Sequence, residues 1–192
     1  MSWLSGLPPF ELFALVTGLA AVILLIRQNI WTWPIGVLYA AVSVWVFSQD
    51  KLFGQTLLHV FYVVMNLYGW WYWLYGGERP EDAALAIGRL SATGLLLTVV
   101  AGLAGTGLLG FGLGGIDGAQ LAWPDAVITA FSFVAMYLQA RKFIECWGFW
   151  LVINVGSVAL YLSAGLNFYA VLYLVYLGLA VVGFQTWRRA LT

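Results

Sequence analysis

His59, Tyr62, Asn66 and Trp70 or Trp73 recur at i, i+3, i+7 and i+11 or i+14, a spacing that lays an imidazole, a phenol, an amide and an indole along one stripe of a helix. Trp147, Trp150, Asn154, Ser157 and Tyr161 repeat the idea at i, i+3, i+7, i+10 and i+14. Aromatic faces stack on planar heterocycles and attract cationic rings such as a pyridinium or a thiazolium, each contact being worth about 0.5–2 kcal/mol. Amides and hydroxyls then hydrogen-bond sugar hydroxyls or a carboxamide. Neither stripe contains Lys or Arg, which a buried phosphate would need to offset its desolvation. The chemistry implied is recognition of a flat, unphosphorylated ligand.

The elements that carry these stripes follow from composition. The 192 residues are 63% apolar and 8% charged, far from the balance of a soluble domain. Trp, Tyr and Phe number 11, 10 and 12, more than membrane anchoring requires. Seven apolar segments, a few of them short, are candidates to cross hydrocarbon as helices, approximately 10–26, 30–47, 53–75, 90–113, 123–138, 147–164 and 166–187. They are continuously apolar, not alternating, which argues against a transmembrane β-barrel. The fold class expected is an all-α integral membrane protein with seven transmembrane helices. An Asn or His facing lipid would be costly, so both stripes should face the interior and together form an aromatic cage. For Trp31, Trp70, Trp71 and Trp187 the expected place is the interfacial belt.

Seven of the eight basic residues, Arg27, Arg79, Arg89, Arg141, Lys142, Arg188 and Arg189, fall on one side of a seven-span topology, with Lys51 on the other. By the positive-inside rule the amino terminus lies outside and the carboxyl terminus in the cytoplasm. The amino-terminal MSWLSGLPPFELF lacks a basic n-region and a cleavage signal, so the first helix is expected to stay in the mature chain.

Set against itself at an offset of 114, the chain pairs Arg27 with Arg141, Ile30 with Ile144, Trp33 with Trp147, Ser43 with Ser157, Tyr62 with Tyr176, Gly69 with Gly183 and Trp73 with Trp187. Ala21, Leu24, Val44, Leu52 and Leu58 also meet identical partners, and Glu11 meets Asp125. Shared hydrophobicity does not explain matched Arg, Trp, Tyr and Gly. The expectation is one membrane domain over 1–192 built as 3+1+3 parallel repeats, with a first repeat at 10–75, a linker helix at 90–113 and a second repeat at 123–188. Parallel repeats place substrate near the midplane between the copies. Gly102, Gly105, Gly107, Gly110 and Gly112 would let the linker helix pack closely.

Other chemistries lack their residues. There is no G-x-x-x-x-G-K-[ST] loop for ATP, and no HExxH, GxSxG or CxxC signature. The single histidine and the single cysteine, Cys146, preclude an intrachain disulfide and a His/Cys metal cluster, and no Lys/Arg run suits a nucleic acid. No catalytic residue, cofactor or metal is expected. No Lys, Arg, Asp or Glu lies deep within a span, so uncoupled movement fits better than ion coupling. Glu11 and Asp125 sit where carboxylates favour helix starts, and Cys146 is expected to be a small buried hydrophobe. A membrane-embedded enzyme or receptor using His59 is the alternative of another class.

Trp33-Pro34-Ile35-Gly36, Leu57-Leu58-His59-Val60-Phe61-Tyr62, Asn66-Leu67-Tyr68-Gly69-Trp70-Trp71-Tyr72-Trp73, Arg141-Lys142, Trp147-Gly148-Phe149-Trp150, Asn154 and the Gly183–Trp187 stretch together resemble the PnuC family of vitamin transporters. The resemblance covers nearly the whole chain apart from the fourth helix. It implies a SWEET-like 3+1+3 fold and facilitated diffusion of nicotinamide riboside across the bacterial cytoplasmic (inner) membrane. It further implies trapping of the vitamin by a separate cytoplasmic kinase, for NAD biosynthesis, and a homo-oligomer, a trimer in the first instance. Carried onto this chain, its substrate-binding positions are His59, Tyr62, Asn66, Trp147, Trp150 and Asn154, and with Ser157 of the second stripe and Tyr173 these make up the expected substrate-binding set. Where this chain has His59 the family typically has Gln, which leaves thiamine or riboflavin as alternative cargo.

Overall fold

The computed structural model describes residues 9–49, 53–78, 83–114, 122–163 and 165–191, and among these the chain is helical apart from turns, the irregular segment 83–91 and the one isolated backbone bridge it carries. Seven helices follow in order: α1 (Pro9–Ile26), α2 (Thr32–Gln49), α3 (Phe53–Tyr75), α4 (Ala92–Gly114), α5 (Ala122–Ala140), α6 (Cys146–Ser163) and α7 (Asn167–Ala190). This is the expected all-α integral membrane protein. In hydrocarbon no water pairs with backbone groups, so continuous apolar runs satisfy them internally as helices. Over Ala92–Gly112, Cys146–Ser163 and Asn167–Ala190 the helices are long and apolar enough to span by length and composition, and Leu12–Ile26 and Thr32–Val46 are shorter apolar stretches. Pro9, Pro34 and Pro124 fall in first turns, where their missing N–H costs nothing.

The chain divides into two compact units, Met1–Leu85 and Ala86–Thr192. In the first, α2 packs on both α1 and α3. Trp33, in the first turn of α2, is fully buried with its ring against Gly69 of α3, and Trp73 meets it edge-on with centroids 5.4 Å apart. In the second unit α5 packs on α4 and α6, and α6 on α7. There Trp147 lies against Gly183, and Trp187 meets it edge-on, again at 5.4 Å.

The same local geometry also closes α1 and α5. Asn29 N–H donates to Leu24 O and Gln28 N–H to Leu25 O, each at 2.9 Å, while Phe143 N–H donates to Leu138 O at 2.9 Å and Lys142 N–H to Gln139 O at 3.0 Å. These are Schellman ends. Their left-handed residues are Gln28 (φ 54°) and Lys142 (φ 60°), where glycine is usual and a side chain costs about 1 kcal/mol. Gly165 (φ 72°) ends α6 in the same way without that cost, its neighbour Leu166 donating to Tyr161 O at 2.8 Å. Thr32 and Cys146 stand at corresponding positions. The Thr32 hydroxyl donates to Ala21 O at 2.8 Å, and Cys146 is fully buried, as expected of a small hydrophobe.

Several features depart from the sequence expectations or add to them. Trp31 and Trp71 are exposed as a belt requires, but Trp187 is fully buried, because Gly183 leaves room for the Trp147 ring on which it rests. Gly102 and Gly110 of α4 accept Phe131 and Trp123 of α5, so those glycines do permit close packing, whereas Gly107 and Gly112 face open space. The segment before α4 is pinned to the α5–α6 turn: Gly88 N–H donates to Lys142 O at 3.0 Å and Ile144 N–H to Gly88 O at 3.1 Å. Leu90 N–H adds a bond to Glu145 Oε2 at 3.2 Å. Asp125 is exposed in the first turn of α5, while the side chain of Glu11 lies outside the described residues.

A methyl group at Gly69 or Gly183 would overlap the ring of a buried indole, Trp33 or Trp147. Gly69→Ala and Gly183→Ala should each destabilise the protein by about 1–3 kcal/mol in thermal melts of the purified chain. Gly107→Ala, which meets nothing, should be neutral or slightly stabilising.

Candidate functional site

In the first unit the expected stripe of α3 is the buried face of that helix. His59 and Asn66 are 6% and 8% exposed, Gly69 and Trp73 are buried, and Tyr62 is half-buried. The opposite stripe, Val60, Val64, Leu67, Trp71 and Leu74, is exposed and suits lipid. The imidazole of His59 lies edge-on to Tyr62, centroids 5.5 Å apart, and to Tyr39 of α2 at 5.9 Å. Asn66 Nδ2 donates to Tyr62 O at 2.8 Å. Its amide rests against Gly36, where a methyl group would collide with Oδ1.

This arrangement gathers three of the named residues, His59, Tyr62 and Asn66, and adds two that residue-type reasoning left out of the set. Tyr39 carries no polar signal beyond its hydroxyl and was hidden among apolar neighbours. Gly36 has no side chain to point with, yet its smallness seats the Asn66 amide. One intramolecular bond leaves an amide with capacity for more, so Asn66 can still address a ligand.

In the second unit Trp147, Asn154 and Ser157 of α6 are 1%, 5% and 1% exposed, and Trp150 and Tyr161 are half-buried. Val152, Val155 and Leu162 face outward, so the polar stripe again faces inward. Trp150 Nε1 donates to Gln139 Oε1 of α5 at 3.0 Å. The Trp147 ring is committed to Gly183 and Trp187, and its Nε1 is buried without an acceptor. Tyr173 of α7 packs its ring on Tyr161 at 5.2 Å and edge-on to Tyr176 at 5.9 Å. The His59–Tyr62 and Tyr173–Tyr176 contacts occupy corresponding positions in the two units.

Ser157 Oγ is buried with no hydrogen-bond partner, whereas Ser43, its counterpart, donates to Tyr39 O at 2.9 Å. An unpaired buried hydroxyl costs stability, and a ligand or a water can pair it. Among the described residues no group of three or more His, Cys, Asp or Glu could hold a metal. What the geometry offers among the described residues is aromatic surface and neutral hydrogen-bonding groups.

The family model described as nicotinamide mononucleotide transporter matches residues 8–189. The riboflavin/roseoflavin transporter RibM of Streptomyces davaonensis is 29% identical, over 90% of this chain and 81% of its own length. The nicotinamide riboside transporter PnuC of Escherichia coli is 25% identical, covering 97% of this chain and 85% of that protein. PnuC of Neisseria mucosa is 26% identical over 98% and 73%. A crystal structure of the vitamin B3 transporter PnuC is similar, with a TM-score of 0.73 and 25% identity over 93% of this chain and 80% of that one.

Removing the unpaired hydroxyl in Ser157→Ala should leave the ligand-free protein more stable than Ser43→Ala does, by about 1 kcal/mol. Thermal melts of the two variants check this, and equal shifts would mean that Ser157 is satisfied after all.

Proposed function

This chain belongs to the nicotinamide mononucleotide transporter family and is a membrane transporter, not an enzyme, and from that premise we propose that its cargo is an unphosphorylated vitamin, nicotinamide riboside first. The observation that carries the choice is electrostatic. Helices α2, α3, α4 and α6 contain no Lys, Arg, Asp or Glu, and among the described residues their buried polar side chains are the neutral Thr32, Ser43, Asn66, Thr106, Asn154 and Ser157 together with the His59 imidazole. A phosphate among them would be desolvated without a cation, at a cost of several kcal/mol. The riboside brings a pyridinium for aromatic faces, a carboxamide for amides and ribose hydroxyls for Ser157 and Asn154.

His59, Tyr62, Asn66, Trp150, Asn154, Ser157 and Tyr173 make the contacts in this reading. Trp147 belongs to the set through its place in the W-x-x-W stretch, and its main service is to hold α7 on α6. Movement is facilitated diffusion, net uptake following from phosphorylation by a cytoplasmic kinase. The amino terminus lies outside and the carboxyl terminus in the cytoplasm, in the inner membrane of a bacterium, and the functional particle is a homo-oligomer, a trimer first. The 3+1+3 SWEET-like duplication is supported by paired Trp–Gly–Trp contacts and paired Schellman ends at one offset of 114, Trp33 against Trp147 and Gln28 against Lys142.

Riboflavin is the second reading, favoured by the 29% identity to a riboflavin/roseoflavin transporter. Its flat tricyclic ring suits the same aromatic faces, and His59 is the residue on which the choice turns.

Purified protein in proteoliposomes should equilibrate nicotinamide riboside without ATP or an ion gradient and leave nicotinamide mononucleotide outside. His59→Gln should retain flux and raise the rate ratio of the riboside to riboflavin by about fivefold, the worth of one hydrogen bond. Failure of every vitamin to equilibrate, or abolition of flux by His59→Gln, would overturn the reading.

A further inference from the structure

Gln139 lies near the end of α5, where its carbonyl accepts Lys142 N–H at 3.0 Å in the Schellman turn. Its backbone is therefore held by a rigid element. Its side chain reaches α6 and accepts the indole N–H of Trp150 at 3.0 Å. An indole nitrogen only donates, so the amide must present Oε1 to it, and this one bond fixes the orientation of both groups.

Burial alone does not account for the acceptor. Three residues earlier on the same helix, Trp147 buries its Nε1 with none, and Trp33 does the same in the first unit. The half-buried Trp150 has one. The first unit, which matches the second in its Trp–Gly–Trp contacts and turns, has Leu25 and Gly36 at the positions of Gln139 and Trp150, so no such bond exists there. Gln139 and Trp150 thus appear together where the two units otherwise share their scaffold.

We infer that Gln139 is a positioning residue: it holds the Trp150 ring at a fixed angle on the face of α6 that also carries Asn154 and Ser157, so that the ring is ready to stack on the planar ring of the cargo. The inference rests on the proposed role of Trp150 in binding that cargo. An indole free to rotate about χ1 and χ2 would have to be ordered each time a ligand binds, and the Gln139 bond meets that entropic cost in advance. Gln139 itself need not touch the ligand.

The test is a double-mutant cycle read by titration calorimetry, with nicotinamide riboside as the probe and the full chain in detergent or nanodiscs. Gln139→Met keeps the length of the side chain and removes the acceptor, and it should weaken binding about fivefold. Gln139→Glu retains an oxygen at the same reach and should bind more tightly than Gln139→Met. In a Trp150→Phe background, which has no indole N–H, Gln139→Met should cause no further loss. An undiminished loss in that background, or no loss when Trp150→Phe alone is costly, overturns the positioning role. If Trp150→Phe alone leaves binding unchanged, the cargo is not held at Trp150, and the site reading falls together with this inference.

Discussion

Apolar side chains gain little by leaving lipid for one another, so helices in a membrane associate through close packing and not through hydrophobic burial. In both units that packing centres on one contact, a tryptophan ring seated on a glycine of the neighbouring helix. Trp33 on Gly69 sets the register of α2 against α3, and the next step along the same interface puts Gly36 against Asn66. The polar stripe is where it is because the indole and the glycine meet one turn away. Trp147 on Gly183 does the same for α6 and α7, and each second tryptophan, Trp73 or Trp187, closes the contact edge-on. The register of two helices follows from three residues in each case.

With the scaffold held in this way, the polar chemistry is free to differ between the units. His59 stands opposite Tyr173 in the 114-residue offset, Asn66 opposite Ala180, Ala40 opposite Asn154, and Gly36 opposite Trp150. The first unit carries its amide on α3 and the second on α6. On the proposed duplication, packing demands kept Trp, Gly and the turn residues alike, while the buried polar positions of each unit diverged.

The sequence made much of this legible, for stated reasons. Long apolar runs can only be helices in hydrocarbon, so their number and approximate limits followed from length and composition. The buried faces of α3 and α6 were readable because an amide facing lipid is costly, and the structure turns Asn66 and Asn154 inward. Trp187 was misread because aromatic position along a span says nothing about a facing glycine. Gln139 carries no signal in the sequence, since a Gln near a helix end is ordinarily solvated, and only the fold brings it to Trp150. The pinning of Gly88 and Leu90 on the α5–α6 turn is made by backbone groups and a carboxylate 55 residues away, a pairing with no sequence period to signal it.

The central claim is that neutral, aromatic surroundings select the unphosphorylated vitamin, and equilibrium binding to the purified wild-type protein tests it most directly. Calorimetry with nicotinamide riboside and nicotinamide mononucleotide compares two ligands that differ by one phosphate. The account predicts that the riboside binds more tightly by a factor of about 100 or more, the several kcal/mol of an uncompensated buried charge. Equal affinities, or tighter binding of the mononucleotide, would contradict it.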